Sequence, residues 1–154
     1  MKRFAGALAT LALVAGSLLV ASPAQAAANG GCTRLAPYWD TNNRRQLWMS
    51  ACISISGGTI YSDSYTEFNN SGLVGGWTSC TITLHMESGW GYKDEVPRDC
   101  RNAANSSISG SRIFTGPIVR SPADYRYHMF YVVAGTRNGT VYSWASQFSP
   151  WLYP

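Results

Sequence analysis

Residues 127–148, "YHMFYVVAGTRNGTVYSWASQF", contain the clearest β-hairpin pattern of the sequence. At its centre, Asn138-Gly139 is the dipeptide most typical of a two-residue type I′ hairpin turn. Because side chains alternate between the two faces of a strand, this turn fixes the register of the whole hairpin. The predicted cross-strand pairs are Arg137 with Thr140, Val133 with Trp144, Met129 with Phe148, Val132 with Ala145 and Phe130 with Gln147. Both faces of the hairpin carry apolar groups, so we expect it to lie centrally in its sheet.

Two other stretches alternate in the same way. Residues 51–65, "ACISISGGTIYSDSY", contain a Gly57-Gly58 turn that sets Ile55 opposite Ile60. Residues 77–87, "WTSCTITLHME", predict a strand that is apolar on one face and polar on the other. The apolar face carries Cys80, Ile82, Leu84 and Met86, and the polar face carries Thr81, Thr83, His85 and Glu87. Residues 88–92, "SGWGY", predict a turn after this strand.

The remaining segments complete an all-β pattern. Residues 112–119, "RIFTGPIV", predict a shorter strand interrupted at Gly116-Pro117, and residues 101–111 predict a loop. We therefore expect an all-β fold, a single-domain antiparallel β-sandwich over residues 32–154. The alternation alone does not distinguish two packed sheets from one closed sheet.

The first 26 residues have the pattern of a signal peptide. Lys2 and Arg3 precede an uncharged run, and Ala24-Gln25-Ala26 matches the small-x-small pattern of a cleavage site. We expect the mature chain to begin at Ala27, to be secreted and extracellular, and to have no segment inserted in the membrane. Residues 27–31, "AANGG", are expected to be flexible, with Ala27, Asn29 and Gly30 free to fray or to insert into a partner.

The four cysteines are expected to form two disulfides, because exported thiols oxidise. Of the three possible connectivities, the repeated interval of 20 residues favours Cys32 with Cys52 and Cys80 with Cys100. Each bridge would stabilise the fold by about 3 kcal/mol. A zinc site is the alternative, but the chain has no C-x-x-C pair and its histidines lack partners at ligand spacing. We expect no metal and no cofactor.

Charge and length narrow the possible classes of function. Without the leader, ten Lys and Arg stand against eight Asp and Glu, a net charge of +2 on 128 residues. A balance this close to neutral argues against nucleic-acid binding. The length suits one domain with a sizeable core.

Motifs for catalysis are also missing from the sequence. There is no G-x-S-x-G elbow, and the thiols are expected to be oxidised. His85 and Glu87 are expected to be exposed neighbours on a strand, and His128 a half-buried ring rather than a base. A carboxylate pair for glycoside hydrolysis is defined by its separation in space, so the sequence does not exclude one. The candidate residues are Asp63, Glu67, Glu87, Asp94 and Glu95. We expect a protein that is not an enzyme.

Aromatic residues are the positive functional signal, since 19 of the 20 Phe, Trp and Tyr follow the leader. Trp48, Trp77 and Trp144 lie in predicted strands and are expected in the core. Other aromatics lie in loops or at the C-terminus, where burial is not automatic: Trp90, Tyr92, Tyr125, Tyr127, Trp151 and Tyr153. Such residues anchor protein interfaces and stack against sugars. The alternative for Trp151 is that the C-terminal tail folds back and caps the sandwich.

The leader ending "SPAQA", the nine Arg against one Lys after it and the four-cysteine β pattern resemble small exported proteins of streptomycetes and other actinobacteria. Within that group the chain resembles the adaptor subunits of umbrella toxin particles and small disulfide-bonded protease inhibitors. The resemblance lies in the character of the whole chain and not in a signature motif, so it assigns no contact residues.

The function expected from these features is a secreted, non-enzymatic protein-binding module. The resemblance implies an adaptor or structural subunit that joins larger secreted subunits, as in an antibacterial toxin complex. A carbohydrate-binding module and a secreted protease inhibitor are the alternatives. The candidate binding surface is Ala27, Asn29, Gly30, Trp90, Tyr92, Trp151 and Tyr153.

Overall fold

The structure is a computed structural model that describes residues 30–154. The expected signal peptide, residues 1–26, and the candidates Ala27 and Asn29 lie outside the described residues. The described part forms strands β1 (Gly30–Cys32), β2 (Ala36–Trp39), β3 (Gln46–Ser56), β4 (Thr59–Glu67), β5 (Trp77–Ser88) and β6 (Lys93–Asp99), helix α1 (Arg101–Asn105), and strands β7 (Arg112–Arg120), β8 (Tyr127–Arg137) and β9 (Thr140–Ala145). Of the stretch expected to be flexible, Gly30 and Gly31 belong to β1.

Two antiparallel sheets pack face to face and confirm the predicted β-sandwich. In the five-stranded sheet, β4 lies between β3 and β7, and both β1 and β2 pair with the other edge of β3. The four-stranded sheet has the order β6-β5-β8-β9. Strand β8 is therefore internal, as expected for the predicted hairpin, whereas β9 lies at the edge.

The hairpin of β8 and β9 has the predicted register over most of its length. Val133 pairs with Trp144 and Val132 with Ala145. Asn138 and Gly139 have φ values of 48° and 77°, the left-handed region that a type I′ turn requires. The register still holds at Ser146, whose backbone N–H donates to the carbonyl of Tyr131 at 2.9 Å, but the predicted pair of Met129 with Phe148 is wrong.

The error is a register slip in the segment that follows β9. The backbone N–H of Ser149, and not that of Phe148, donates to the carbonyl of Met129 at 2.7 Å. A shift of one residue moves a side chain to the opposite face of a strand. Met129 is fully buried, while 48% of Phe148 remains exposed on the outer face.

The other predicted strands hold, with two changes. Ile55 pairs with Ile60, and β5 buries the predicted apolar face. Strand β7 was expected to break at Gly116-Pro117, but it continues across a β-bulge opposite β4. Gly116 fits there because a Cβ atom would lie only 2.6 Å from Leu84 of the opposite sheet. The predicted loop 101–111 begins with the short helix α1.

The core lies between the inner faces of the two sheets. The five-stranded sheet contributes Leu47, Met49, Ala51, Ile53 and Ile60, and the four-stranded sheet contributes Ile82, Leu84, Met86, Met129, Tyr131, Val133 and Trp144. Trp77 and Trp144 are buried as predicted. Trp48 was expected in the core but is 36% exposed, because its neighbours Leu47 and Met49 take the inward positions of β3.

Part of the interior is polar and fully hydrogen-bonded. Ser62 and Ser64 on the inner face of β4 donate to carbonyls of β7 at 2.8 and 3.4 Å. The buried hydroxyl of Tyr131 donates to the carbonyl of Tyr65 at 2.7 Å and accepts from the Thr66 hydroxyl at 3.2 Å. Burial raises the pKa of Tyr131, which keeps this hydroxyl protonated and able to donate. The two hydrogen bonds of the Tyr131 hydroxyl link β8 to β4 of the opposite sheet.

Both predicted disulfides are present. Cys32–Cys52 joins β1 to β3, and Cys80–Cys100 joins β5 to the start of α1. The pair of bridges fits an extracellular location, where thiols oxidise. Within residues 30–154, no helix has the length and apolar character needed to span a membrane.

The turn between β2 and β3 is organised by a buried carboxylate. Asp40 is 1% exposed, accepts the backbone N–H of Arg45 at 3.0 Å and forms an ion pair of 2.9 Å with the Arg44 guanidinium. Burial alone would raise the pKa of Asp40, but the hydrogen bonds from Arg45 and Arg44 and the Arg44 charge outweigh it and lower that pKa. The same turn covers the free edge of β9, where Arg44 donates to the carbonyl of Val141.

Candidate functional site

The outer face of the four-stranded sheet carries aromatic rings and charged side chains side by side. His85 of β5 pairs with Phe130 of β8, and Glu87 pairs with His128. The rings of His85 and Phe130 stack with centroids 4.5 Å apart and planes within 6°. Strand alternation explains this arrangement, because the neighbouring residues Leu84, Met86, Met129 and Tyr131 point into the core.

The C-terminal segment, residues 146–154, adds further rings to this face. The backbone N–H groups of Tyr131 and Met129 each donate to a serine hydroxyl, of Ser146 and Ser149 respectively, at 3.0 Å. Leu152 is fully buried, and its backbone pairs with that of Tyr127. The C-terminal tail therefore folds back onto β8, the alternative considered for Trp151.

This docking builds a continuous stack of side chains, which we name the ring column: Phe148, His128, Trp151, Arg126 and Tyr125. His128 lies 4.3 Å from Phe148 and 3.7 Å from Trp151, with planes within 15° and 9°. The Arg126 guanidinium lies 4.3 Å from the Trp151 ring and 5.0 Å from the Tyr125 ring. Because groups at these distances cannot share one side of a ring, His128 has both faces covered by Phe148 and Trp151, and Trp151 has both faces covered by His128 and Arg126.

His128 is the titratable member of the ring column. Burial lowers its pKa, the nearby Arg126 charge acts in the same direction, and the Glu87 carboxylate, 3.5 Å from Nε2, opposes them. The ring is thus neutral at pH 7. It is half-buried, as expected from the sequence.

Beyond Tyr125, the turn between β5 and β6 brings Trp90 and Tyr92 to the same end of the sheet. The Ser88 hydroxyl accepts the backbone N–H of Tyr92 at 3.0 Å and shapes this turn. Trp90 is 74% exposed, and its ring lies 5.9 Å from Tyr125 at a tilt of 52°. Gly89 permits this approach, since a Cβ atom there would lie 2.6 Å from the Tyr125 ring.

At the β6 side of the same face lies an open depression of about 400 Å³, lined by His85, Met86, Glu87, Lys93, Asp94 and Glu95. Three carboxylates against one lysine make it acidic. Glu95 lies 3.3 Å from His85 Nδ1, and Lys93 lies 3.4 Å from Glu87. Burial and the adjacent Asp94 carboxylate raise the pKa of Tyr92, whose hydroxyl donates to Asp94 at 3.2 Å.

The carboxylates considered for catalysis are divided between the two sheets. Asp63 and Glu67 lie on β4, where Asp63 accepts from the Thr115 hydroxyl and Glu67 accepts from the Ser111 hydroxyl. Glu87, Asp94 and Glu95 lie at the acidic depression. Among the residues from Gly30 onwards, no three His, Cys, Asp or Glu side chains converge in a way that could hold a metal ion.

Several residues of the predicted binding surface meet at one end of the sandwich. Trp90 and Tyr92 contact Tyr125 and Tyr127 respectively, and Trp151 stacks on Arg126. Gly30 is buried beside the tail, where a Cβ atom would lie 3.1 Å from Leu152. Tyr153 is 46% exposed near the C-terminus.

The sequence did not identify Arg126, His128, Phe130 and Phe148 as members of this surface. The outward positions of His128 and Phe130 follow from the alternation of β8, so their place on this face was predictable from the sequence. The stacking of Phe148 and Trp151 on His128 depends on the register slip between Ser146 and Ser149, which strand alternation does not encode.

Comparison with known proteins adds no relative to this picture. The chain matches no known protein family and no curated protein.

Proposed function

We propose that this chain is a secreted, non-enzymatic module that binds a larger secreted protein and serves as an adaptor or structural subunit. The contact surface is the ring column together with Trp90 and the acidic depression. The observation that carries the proposal is the ring column itself, an ordered row of aromatic and charged groups on the outer face of a sheet. An assembly such as an antibacterial toxin complex agrees with the resemblance of the whole chain.

The chemistry of the face suits a protein partner. Trp, Tyr and Arg are the residues most enriched among those that dominate binding energy at protein interfaces. Trp90, Tyr125 and Phe148 are 74%, 46% and 48% exposed, although each has an aromatic neighbour. Such rigid, partly exposed rings lose little conformational entropy when a partner covers them.

The stacking geometry favours protein binding over sugar binding. A sugar-binding platform needs the free face of an aromatic ring, but both faces of Trp151 and His128 are already covered within the ring column. Ring edges are left for a ligand, and they suit contact with irregular side chains. Trp90 is the aromatic side chain most open to a glycan, so carbohydrate binding at Trp90 is the second candidate.

Export of the chain is part of the proposal. Its support is the Lys2-Arg3 start, the Ala24-Gln25-Ala26 pattern and the two disulfides. An adaptor that works outside the cell benefits from such covalent links, because each restricts the unfolded chain.

The test compares capture by matched variants of the mature protein. The immobilised wild type is exposed to culture medium of the organism that exports it, beside Phe148→Ala, Trp90→Ala and Ile118→Ala. Ile118 is 45% exposed on the other sheet and serves as the control. We expect the wild type and Ile118→Ala to retain a larger protein in fixed stoichiometry, and the two face variants to bind it about tenfold more weakly or worse.

Two results would count against the proposal. One is capture that Phe148→Ala and Trp90→Ala leave unchanged, because the ring column would then have no part in it. The other is retention on chitin or cell-wall material that Trp90→Ala abolishes and Phe148→Ala preserves, with no protein captured. That second result would instead establish the glycan-binding candidate.

A further inference from the structure

We infer that Arg126 forms a binding site for a carboxylate side chain of the protein partner. This inference rests on the proposed function, which it deepens by assigning the chemistry of one contact. The Arg126 guanidinium lies between the rings of Trp151 and Tyr125, at 4.3 and 5.0 Å from their centroids. Both rings attract the cation and limit its movement, and the guanidinium donates its hydrogen bonds in its own plane.

The charge of Arg126 has no counterpart within residues 30–154. Its Nε atom is buried without a hydrogen-bond partner, and its guanidinium takes part in none of the ion pairs that join these residues. Buried polar groups are paired in most native structures, and an unpaired one is costly. An unpaired cation held between the rings of Trp151 and Tyr125 therefore indicates an anionic ligand supplied by another molecule.

A second stacked arginine shows what a completed arrangement looks like in this protein. The Arg44 guanidinium lies 4.7 Å from the Tyr142 ring, much as Arg126 lies over its own rings. Arg44 differs because its Nε and Nη2 atoms both donate to Asp40, at 3.1 and 2.9 Å. Arg126 has the aromatic support but lacks the acid.

The ligand class follows from the geometry of the guanidinium. Its planar fork matches the two oxygens of a carboxylate and forms charge-assisted hydrogen bonds with them. At an interface lined by Trp151, Tyr125 and Trp90, water is excluded, so such a pair is stronger than one in open solvent. An aspartate or glutamate of the partner would take the role that Asp40 has beside Arg44.

Acetate is a suitable probe of this site, because it tests the site without the partner. The Nε–Hε resonances of the arginines are followed by NMR in the mature protein while sodium acetate replaces sodium chloride at constant ionic strength and pH. Arg126→Lys identifies the Arg126 resonance by its loss. We expect the Arg126 resonance to shift saturably and the Arg44 resonance, already bonded to Asp40, to stay in place.

A second arm uses the captured partner. We expect Arg126→Gln and Arg126→Lys to weaken partner binding about tenfold or more, since lysine lacks the planar fork. Arg120→Gln, which removes the same charge from the end of β7 on the other sheet, should leave the affinity unchanged.

Each outcome decides the inference separately from the proposed function. An Arg126 resonance that moves no more than that of Arg44, or partner binding unaffected by Arg126→Gln, would overturn the carboxylate site. A saturable acetate shift in a protein that captures no partner would support the carboxylate site and refute the proposed function.

Discussion

The imidazole of His128 lies face to face with the indole of Trp151, with ring centroids 3.7 Å apart and planes within 9°. This contact joins the C-terminal segment to β8, an inner strand of the four-stranded sheet. Because Phe148 covers the opposite side of the same imidazole, the C-terminal segment packs a ring on each face of His128. The docked tail is consequently a structural element of the proposed binding face as well as of the fold.

Loss of the Trp151 ring should remove its stacking contact with His128 and weaken the docking of the C-terminal segment. We expect Trp151→Ala to lower the free energy of unfolding by about 2 kcal/mol, less than for a fully buried tryptophan because Trp151 is only partly buried. Urea denaturation measures this change. Trp90→Ala is the matched control, since Trp90 is 74% exposed and its removal should cost less than about 0.5 kcal/mol. Equal losses in the two variants would argue against a structural role for the tail.

Stability should fall as the pH drops below the ordinary pKa of histidine. Burial lowers the pKa of His128 from 6.5 in the folded protein, so the unfolded chain takes up a proton first. Protonation then favours unfolding, and stability decreases from about pH 6.5 down to the folded pKa. Denaturation measured between pH 7 and pH 5 should show this loss in the wild type, and His128→Phe should reduce it.

The pH range of this experiment separates the effect of His128 from that of Asp40. The pKa of Asp40 is lowered below its ordinary value of 3.8, so its contribution is present above that pH and is lost only as the pH falls through the folded pKa. A decrease between pH 7 and pH 5 therefore does not come from Asp40. An NMR titration midpoint for His128 at or above 6.5 would contradict the assigned direction.

Removal of the Asp40 carboxylate should be strongly destabilising. Asp40→Ala leaves the backbone N–H of Arg45 and the guanidinium of Arg44 without their acceptor, and we expect a loss of about 3 kcal/mol. Thermal or urea unfolding measures it. Asp63→Ala removes a half-exposed carboxylate that accepts one hydroxyl bond, so a loss below about 1 kcal/mol is expected there. Similar losses in both variants would show that burial of Asp40 is not decisive.

The two disulfides should differ in their resistance to reduction. Cys32 is exposed, whereas Cys80 and Cys100 are 4% and 0% exposed. Thiol–disulfide exchange needs access to a sulfur atom, so mild dithiothreitol should open Cys32–Cys52 first. Alkylation followed by mass spectrometry identifies the freed cysteines. Alkylation of Cys80 and Cys100 ahead of the other pair would contradict the prediction.

Local sequence rules predicted the two hairpins and the strands β5 and β7 but not β1, β2 and β6. The success of the hairpin predictions has a simple physical cause. A two-residue turn fixes register outward for as long as both chains remain regular, which is why Val133 faces Trp144 as expected. Beyond Ala145 the serine hydroxyls of Ser146 and Ser149 accept backbone N–H groups of β8. The backbone N–H groups of Ser146 and Ser149 still donate to the carbonyls of Tyr131 and Met129. Because three residue steps of the tail span two steps of β8, alternation no longer gives the facing residue.

The ring column was predicted less completely than the fold for a related reason. Trp90 and Trp151 were identified because loop and terminal aromatics have no automatic reason to be buried. Arg126 was not singled out, and His128 was predicted only as a half-buried ring, because the role of each depends on the side chains that stack on it. These contacts form between Trp151 of the C-terminal segment and residues 126–128, which come together only when the tail docks on β8.

Hydroxyl-radical footprinting of the protein, free and bound to its captured partner, tests directly whether the ring column and Trp90 form the contact surface. We expect strong protection of Trp90 and Phe148 in the complex. We also expect unchanged oxidation of Ile113 and Ile118, which are 57% and 45% exposed on the opposite sheet. Protection of Ile113 and Ile118 with Trp90 and Phe148 oxidised as in the free protein would contradict this proposal.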